Sequence, residues 1–141
     1  MQFAGINYPA VLTAAVASFM FGGFYYKLLS GPWIRAARLD EATVSASHKR
    51  GATTWLMAIA FAAQLLMAFV LAGVIAHLGP GQVTLRNGSI SALFVWAGFV
   101  ATTITVNHGF QLRLGSLTLI DGGHWLGVLA IQGAVIGLIG V

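Results

Sequence analysis

Asp121 and His124 stand three residues apart in a stretch of chain that is otherwise almost wholly apolar. At helical spacing, residues i and i+3 share one side, so a carboxylate would lie beside an imidazole whose ordinary pKa is about 6.5. Such a pair inside a membrane helix is suited to relaying a proton. His108, Asn107 and Arg113 come shortly before it, and Gln132 follows on the same projected face. Asp121, His124, His108, Asn107, Arg113 and Gln132 therefore form the candidate polar or proton site, and His48 is expected toward the same end. Two or three His with a carboxylate could also bind zinc, and two His could bracket a haem, but both need helices to converge. No metal site is assigned and no cofactor is implied. A plainer reading of Asp121 stands beside the first. Thr118-Leu119-Ile120-Asp121 has capping-box spacing, with Thr118 at the N-cap and a carboxylate where the helix dipole favours one. Neither a nucleophile–base pair nor paired carboxylates occur, so an enzyme ranks behind a binding or structural role.

Composition sets the elements that must position these groups. Of 141 residues, 7 are Lys or Arg and 3 are Asp or Glu, leaving 7% charged, where soluble domains carry about 25%. With 58% hydrophobic residues and a mean hydropathy of +0.87, the solvent for most of the chain is lipid. The absence of Cys removes disulfides, thiolate metal sites and cysteine nucleophiles. A formal charge of +4 is compatible with nucleic acid, but the cations are spread over separate loops and form no basic stripe with interleaved aromatics. The length allows a single domain, residues 1–141, made of transmembrane helices with short loops.

Four apolar runs follow: residues 10–26, 55–77, 91–108 and 118–141. Asn7-Tyr8-Pro9 flanks the first, with Pro9 suited to a first helical turn, and no Lys or Arg precedes it as a signal peptide would require. Gly79-Pro80-Gly81 breaks the chain between the second and third runs. Strand-like alternation is absent, so the expected fold is all-α, a polytopic membrane protein of four transmembrane helices. Gly31-Pro32-Trp33 predicts a short interfacial helix in the first loop, anchored by Trp33. Lys27, Arg35, Arg38, Lys49, Arg50 and Arg113 fall on one side of this arrangement and Arg86 alone on the other. The positive-inside rule then places the first and third loops in the cytoplasm and both termini outside it.

On the fourth run, Gly123, Gly127, Gly133 and Gly137 gather roughly opposite Asp121, as expected of a helix-packing face where backbones approach closely. Packing within the chain is favoured over a dimer seam. Ala68, Ala72 and Ala76 make a small ridge in line with Gln64, and Ala14, Ser18 and Gly22 do likewise on the first run. Tyr25, Tyr26, Trp33, Trp55 and Trp125 are read as interfacial or packing aromatics.

The chain resembles a family of small bacterial membrane proteins called domain of unknown function 1761. The resemblance rests on Gly22-Gly23-Phe24-Tyr25-Tyr26 with Gly31-Pro32-Trp33, on Ala101-Thr102-Thr103 with Asn107 and Phe110, on Arg113, on Leu119 through His124, and on Gln132-Gly133-Ala134. It implies a four-helix membrane protein and supplies no activity, cofactor or binding residue. The expected role is binding or passage of a small solute or proton by a small helical bundle in the bacterial inner membrane, with self-association into an oligomer. The alternative is a structural or accessory subunit of a larger membrane complex. The bilayer is the expected partner and nucleic acid is not.

Overall fold

The computed structural model describes residues 5–49 and 52–141. Helix α1 (Tyr8–Leu28) starts where the side chain of Asn7 accepts the Ala10 amide at 3.1 Å and Pro9 occupies the first turn. After Leu29 the chain turns into α2 (Ser30–Ala37), which ends on Arg38 in the left-handed region at φ 56°, with the Leu39 amide donating to Ile34 O at 3.1 Å. That is a Schellman closure made without glycine. A second short helix, α3 (Glu41–Lys49), follows, so the first loop holds two short helices where the sequence predicts one.

Asp40 starts α3: its main-chain carbonyl accepts the Val44 amide, and its carboxylate accepts the Thr43 amide at 2.6 Å and the Thr43 hydroxyl at 2.8 Å. The bond from the Thr43 amide, seconded by its hydroxyl, holds the Asp40 pKa below the usual carboxylate range. A carboxylate depressed in the native state supports folding above its unfolded value of about 3.9 and loses that support as pH falls through the native value. Amide exchange in α3, corrected for intrinsic rate, is therefore expected to quicken on acidification below the ordinary Asp value. Asp40→Ala should exchange fast at neutral pH and lose that acid dependence.

Helix α4 (Ala52–Ala76) ends before Gly79 (φ 102°) and Gly81 (φ 76°), whose positive φ values allow the tight reversal around Pro80. The third crossing comprises α5 (Leu85–Val95), a π-helical segment (Trp96–Ala101) and α6 (Thr102–Phe110) in one continuous rod. It begins six residues earlier than the apolar pattern, because Thr84 caps it through the Asn87 amide at 3.2 Å, and Arg86 and Asn87 form a polar first turn. Helix α7 (Gly115–Ile139) also begins earlier, after Leu114, and no side chain caps it. Thr118 is consequently inside the helix, and the capping-box reading of Thr118 and Asp121 is corrected.

The fold is all-α, with four helical stretches long and apolar enough to cross a membrane: Tyr8–Leu28, Thr53–Ala76, Leu85–Phe110 and Gly115–Ile139. Helix α7 is central and packs against α1, α5 and α4. Small residues line much of the interior, with Ala14, Ala15, Ala68 and Ala72 fully buried beside Leu71, Ile75, Leu129 and Ile136, while Met20, Phe24, Leu66, Phe94 and Leu138 point outward. Lipid tails are as apolar as Leu, so the drive for assembly is close backbone packing and not the sequestering of large side chains. Only 6% of the apolar window of the third crossing is buried, against 44% for α7, so its outer face is left to lipid or to a partner.

Candidate functional site

The early start of α7 puts Asp121 inside the helix, facing the ends of three other elements. The Tyr26 hydroxyl from the last turns of α1 donates to Asp121 Oδ1 at 2.8 Å, and Trp33 Nε1 from α2 donates to the same oxygen at 3.1 Å. On the other side, His108 Nε2 from the last turn of α6 stands 3.8 Å from Asp121 Oδ2. His108 Nδ1 lies 3.1 Å from the Thr118 hydroxyl, which holds the ring in place from α7 itself. Two neutral donors thus satisfy the carboxylate on one side. On the other, the imidazole sits just beyond hydrogen-bond reach, where gaining a proton would turn the contact into an ion pair. The groups are 17% and 20% exposed, so the pair lies at the edge of the bundle and not in its sealed interior.

His124 is on the next turn and only 5% exposed. It makes no hydrogen bond to Asp121; its ring sits among those of Tyr26 (centroids 4.6 Å apart), Trp125 (4.9 Å), Tyr25 (5.7 Å) and Phe21 (6.3 Å). Gly22 makes room for it: a Cβ there would lie 2.7 Å from His124 Nε2. The Tyr25 hydroxyl donates to Ile120 O at 3.0 Å, fixing that wall of the box. His124 Nδ1 is buried and has no hydrogen-bond partner. Aromatic faces attract a cation but cannot satisfy a neutral imidazole nitrogen.

Deeper in the bundle, Gln132 Nε2 donates to Ser18 Oγ and to Gln64 O, both at 3.0 Å, and Ser18 Oγ reaches Gln64 Oε1 at 2.9 Å. This keys α1, α4 and α7 together, yet Gln132 Oε1 is left buried without a partner. Beyond Gln132, toward the opposite end, apolar side chains fill the interior: Leu71, Ile75 and Ile136 are wholly enclosed. Among the described residues, the buried polar side chains Ser18, Gln64, His124 and Gln132 therefore occupy one half of the bundle.

Of the predicted site residues, Asp121 and His108 meet directly, with His124 adjoining them and Gln132 deeper on the same helix. Asn107 faces outward and its side chain makes no hydrogen bond among the described residues. Arg113 is also exposed; its Nη1 donates to Ala37 O at 3.2 Å and fastens the third loop to the end of α2. His77 is at the opposite end, against Gly73 O at 2.7 Å. Arg50 lies outside the described residues, as do the side chains of His48 and Lys49. The four packing glycines serve two neighbours. Gly123 and Gly127 lie under Tyr25 and Phe21 of α1, whereas Gly133 and Gly137 meet the backbone of α5 at Gly88 and at Thr84 and Leu85.

Sequence reasoning missed Tyr26, Trp33 and Thr118 as partners of the polar cluster. The available signal was a lone carboxylate in an apolar run together with aromatics whose polar tips must find an acceptor when buried. Among the described residues, no three His, Asp or Glu side chains converge to hold a metal ion.

The family described as "Protein of unknown function (DUF1761)" matches residues 9–137. No curated protein and no solved structure matches the chain.

Proposed function

We propose, from the premise that the chain belongs to the DUF1761 family, that this multi-pass protein binds a proton or a small polar solute in the polar half of its bundle. The observation that carries the reading is the membrane-helix carboxylate of Asp121, held by Tyr26 and Trp33, with His108 at 3.8 Å. Ionisable groups are expensive at such depth and are kept where they meet a proton, an ion or a substrate. The unpartnered His124 nitrogen, one turn further in, supports the same reading. The apolar plug beyond Gln132 favours binding from one side over free conduction in this conformation. The experiment is proton uptake by the purified protein in lipid vesicles, followed by a pH-sensitive dye across the neutral range. Uptake by protein-containing vesicles above that of empty ones is expected; equal traces would sink the reading.

The protein resides, on this proposal, in the inner membrane of a bacterium with both termini outside the cytoplasm. Lys27, Arg35, Arg38 and Arg113 lie at the Asp121 end and Arg86 at the other, which supports that orientation. A C-terminal fusion to a reporter active only in the cytoplasm should be silent, and the same reporter in the first loop active. The reverse pattern would invert the topology.

A second reading is an accessory subunit, favoured by the sparse burial of the third crossing and by Thr103 and Asn107 on its outer side. Polar side chains on such a surface are available to bond a neighbouring helix, from a second copy or from another protein. Native mass spectrometry from mild detergent separates these cases by the mass of the complex.

A further inference from the structure

Thr118 and His108 are 10 residues apart across the third loop, a separation that hides the pair in the sequence, yet the fold lays the Thr118 hydroxyl 3.1 Å from His108 Nδ1. The far nitrogen of the same ring, Nε2, faces Asp121 Oδ2 at 3.8 Å. One tautomer serves both contacts: with its proton on Nε2, His108 turns an N–H to the carboxylate and a lone pair to the hydroxyl. A hydroxyl, a base within reach of it and a third group that orients the base are the parts of an activated nucleophile. The contact to Asp121 is long for a hydrogen bond, as such contacts often are before substrate binds. Thr105 makes the contrast, its hydroxyl being spent on Ala101 O at 2.7 Å in its own helix.

Thr118 also lines a crevice of about 330 Å³ between α7 and the third crossing. The two rods meet backbone to backbone at Gly88 and Gly133, whereas nearer the third loop Trp96 stands between them and donates to Gly122 O at 2.9 Å. A Cβ on Gly122 would meet nothing within 4 Å. Trp96, Ile104, Leu119 and Leu126 make the walls apolar, Thr105 and Thr118 supply hydroxyls, and no charged side chain lines the space among the described residues, which here include every residue from Trp96 to Leu126. From Thr118 to Leu126 the crevice follows α7 for roughly 12 Å at about 1.5 Å per residue, so the hydroxyl is at the loop end and hydrocarbon runs into the membrane. Helical side chains lean toward the N-terminus of their helix, which directs Thr118 to the first turn of α7, a turn no side chain caps. The first amides of a helix have no partner within it and attract negative charge, as an oxyanion formed beside Thr118 requires.

We infer that Thr118 is a nucleophile toward a carboxylic ester carrying a long hydrocarbon chain, with His108 as its base and Asp121 as the positioning residue behind His108. The chain lies in the apolar crevice and the carbonyl stops at the loop end. Thr118 Oγ forms a bond to the carbonyl carbon as its proton passes to His108 Nδ1. The ester C–O bond then breaks, and the alcohol leaves with the proton from His108. Water attacks the acyl-threonine, giving a proton to His108, and the acid departs as that proton returns to Thr118. This activity uses the Asp121 and His108 pair but does not rest on the proton-binding reading.

The test is incubation of the intact protein in phospholipid vesicles with a β-lactone carrying a long alkyl chain, which acylates a nucleophilic hydroxyl by ring opening, and separately with the p-nitrophenyl ester of decanoic acid. Mass spectrometry should place the lactone adduct on Thr118 and not on Thr105 or Ser116, and nitrophenol release should exceed that of empty vesicles. Thr118→Val should abolish both signals, and Thr118→Ser, which keeps a hydroxyl, should retain them. His108→Gln should slow labelling by about a hundredfold or more, and Asp121→Asn should lower kcat with KM little changed. Gly122→Leu should slow the decanoate far more than the corresponding acetate by filling the crevice; equal slowing of the two would overturn the choice of a long-chain substrate. An adduct absent from Thr118, turnover unchanged in Thr118→Val, or labelling unchanged in His108→Gln would overturn the inference. Because the readout is a mass shift on Thr118 and needs no proton uptake, its failure is distinguishable from failure of the Asp121 reading.

Discussion

Gly133→Leu is expected to unfold the bundle or lower its thermal midpoint in detergent drastically, and Gly88→Leu to do the same. A Cβ at Gly133 would meet the main-chain carbonyl of Gly88, with Ala92 Cβ 2.8 Å away, and a Cβ at Gly88 would meet the carbonyl of Gly133 in turn. Neither contact is with the end of a flexible side chain, so α5 and α7 must separate along their length. Overpacking a tight interior costs about 1–3 kcal/mol and sometimes more; backbone against backbone on both sides puts these substitutions at or beyond the upper end. Gly23→Leu is the matched control, since nothing lies within 4 Å of a Cβ there. It should leave the midpoint unchanged or slightly raised, glycine being a poor helix residue. If Gly133→Leu melts with the control, the close α5–α7 approach is wrong.

The chain patterns that set this packing are legible to different depths. Asn7 and Pro9 announce the start of α1 because a cap and a fixed φ act within one turn. The glycine spacing on α7 is equally local, but which helix each glycine serves is not. Gly127 and Gly133 are six residues apart and face different neighbours, Phe21 and the α5 backbone. The start of the third crossing is hidden by Arg86 and Asn87, which dilute the apolar signal although Thr84 caps the helix in the ordinary way. The π segment leaves no mark in Trp96–Ala101 that an α-helix would not share; what stands beside it is long-range, the bond from Trp96 Nε1 to Gly122 O at 2.9 Å.

The candidate site divides along the same line. Asp121, His124 and Gln132 are visible because each is a polar residue in an apolar run. Their partners are not: Tyr26 is 95 residues from Asp121 and Trp33 is 88 residues away. The capping-box pattern misleads for a related reason. A hydroxyl three residues before a carboxylate is a cap only if the helix begins there, and the Thr118 hydroxyl is instead taken up by His108.

Asp121→Asn should fold and either lose proton binding or shift its pH profile. Asparagine keeps an oxygen where Asp121 Oδ1 accepts from the Tyr26 hydroxyl and Trp33 Nε1, so neither donor is orphaned. What disappears is the charge: two charge-assisted bonds become neutral ones, at roughly 1 kcal/mol each, partly offset because an amide is easier to desolvate than a carboxylate. The midpoint should therefore fall only modestly. Proton uptake should fall to the level of empty vesicles if Asp121 is the acceptor, or persist with a displaced pH profile if His108 is. His108→Gln separates these, for it removes the neighbour 3.8 Å away while leaving the carboxylate and both its donors in place. Asp121→Ala is the structural contrast. It strips the acceptor from Tyr26 and Trp33 together, each left-over donor costing about 1–3 kcal/mol, and should destabilise the protein far more than asparagine does. A carboxylate that matters only for architecture predicts Asp121→Asn with native uptake at an unchanged pH profile, and that outcome would move the accessory-subunit reading ahead.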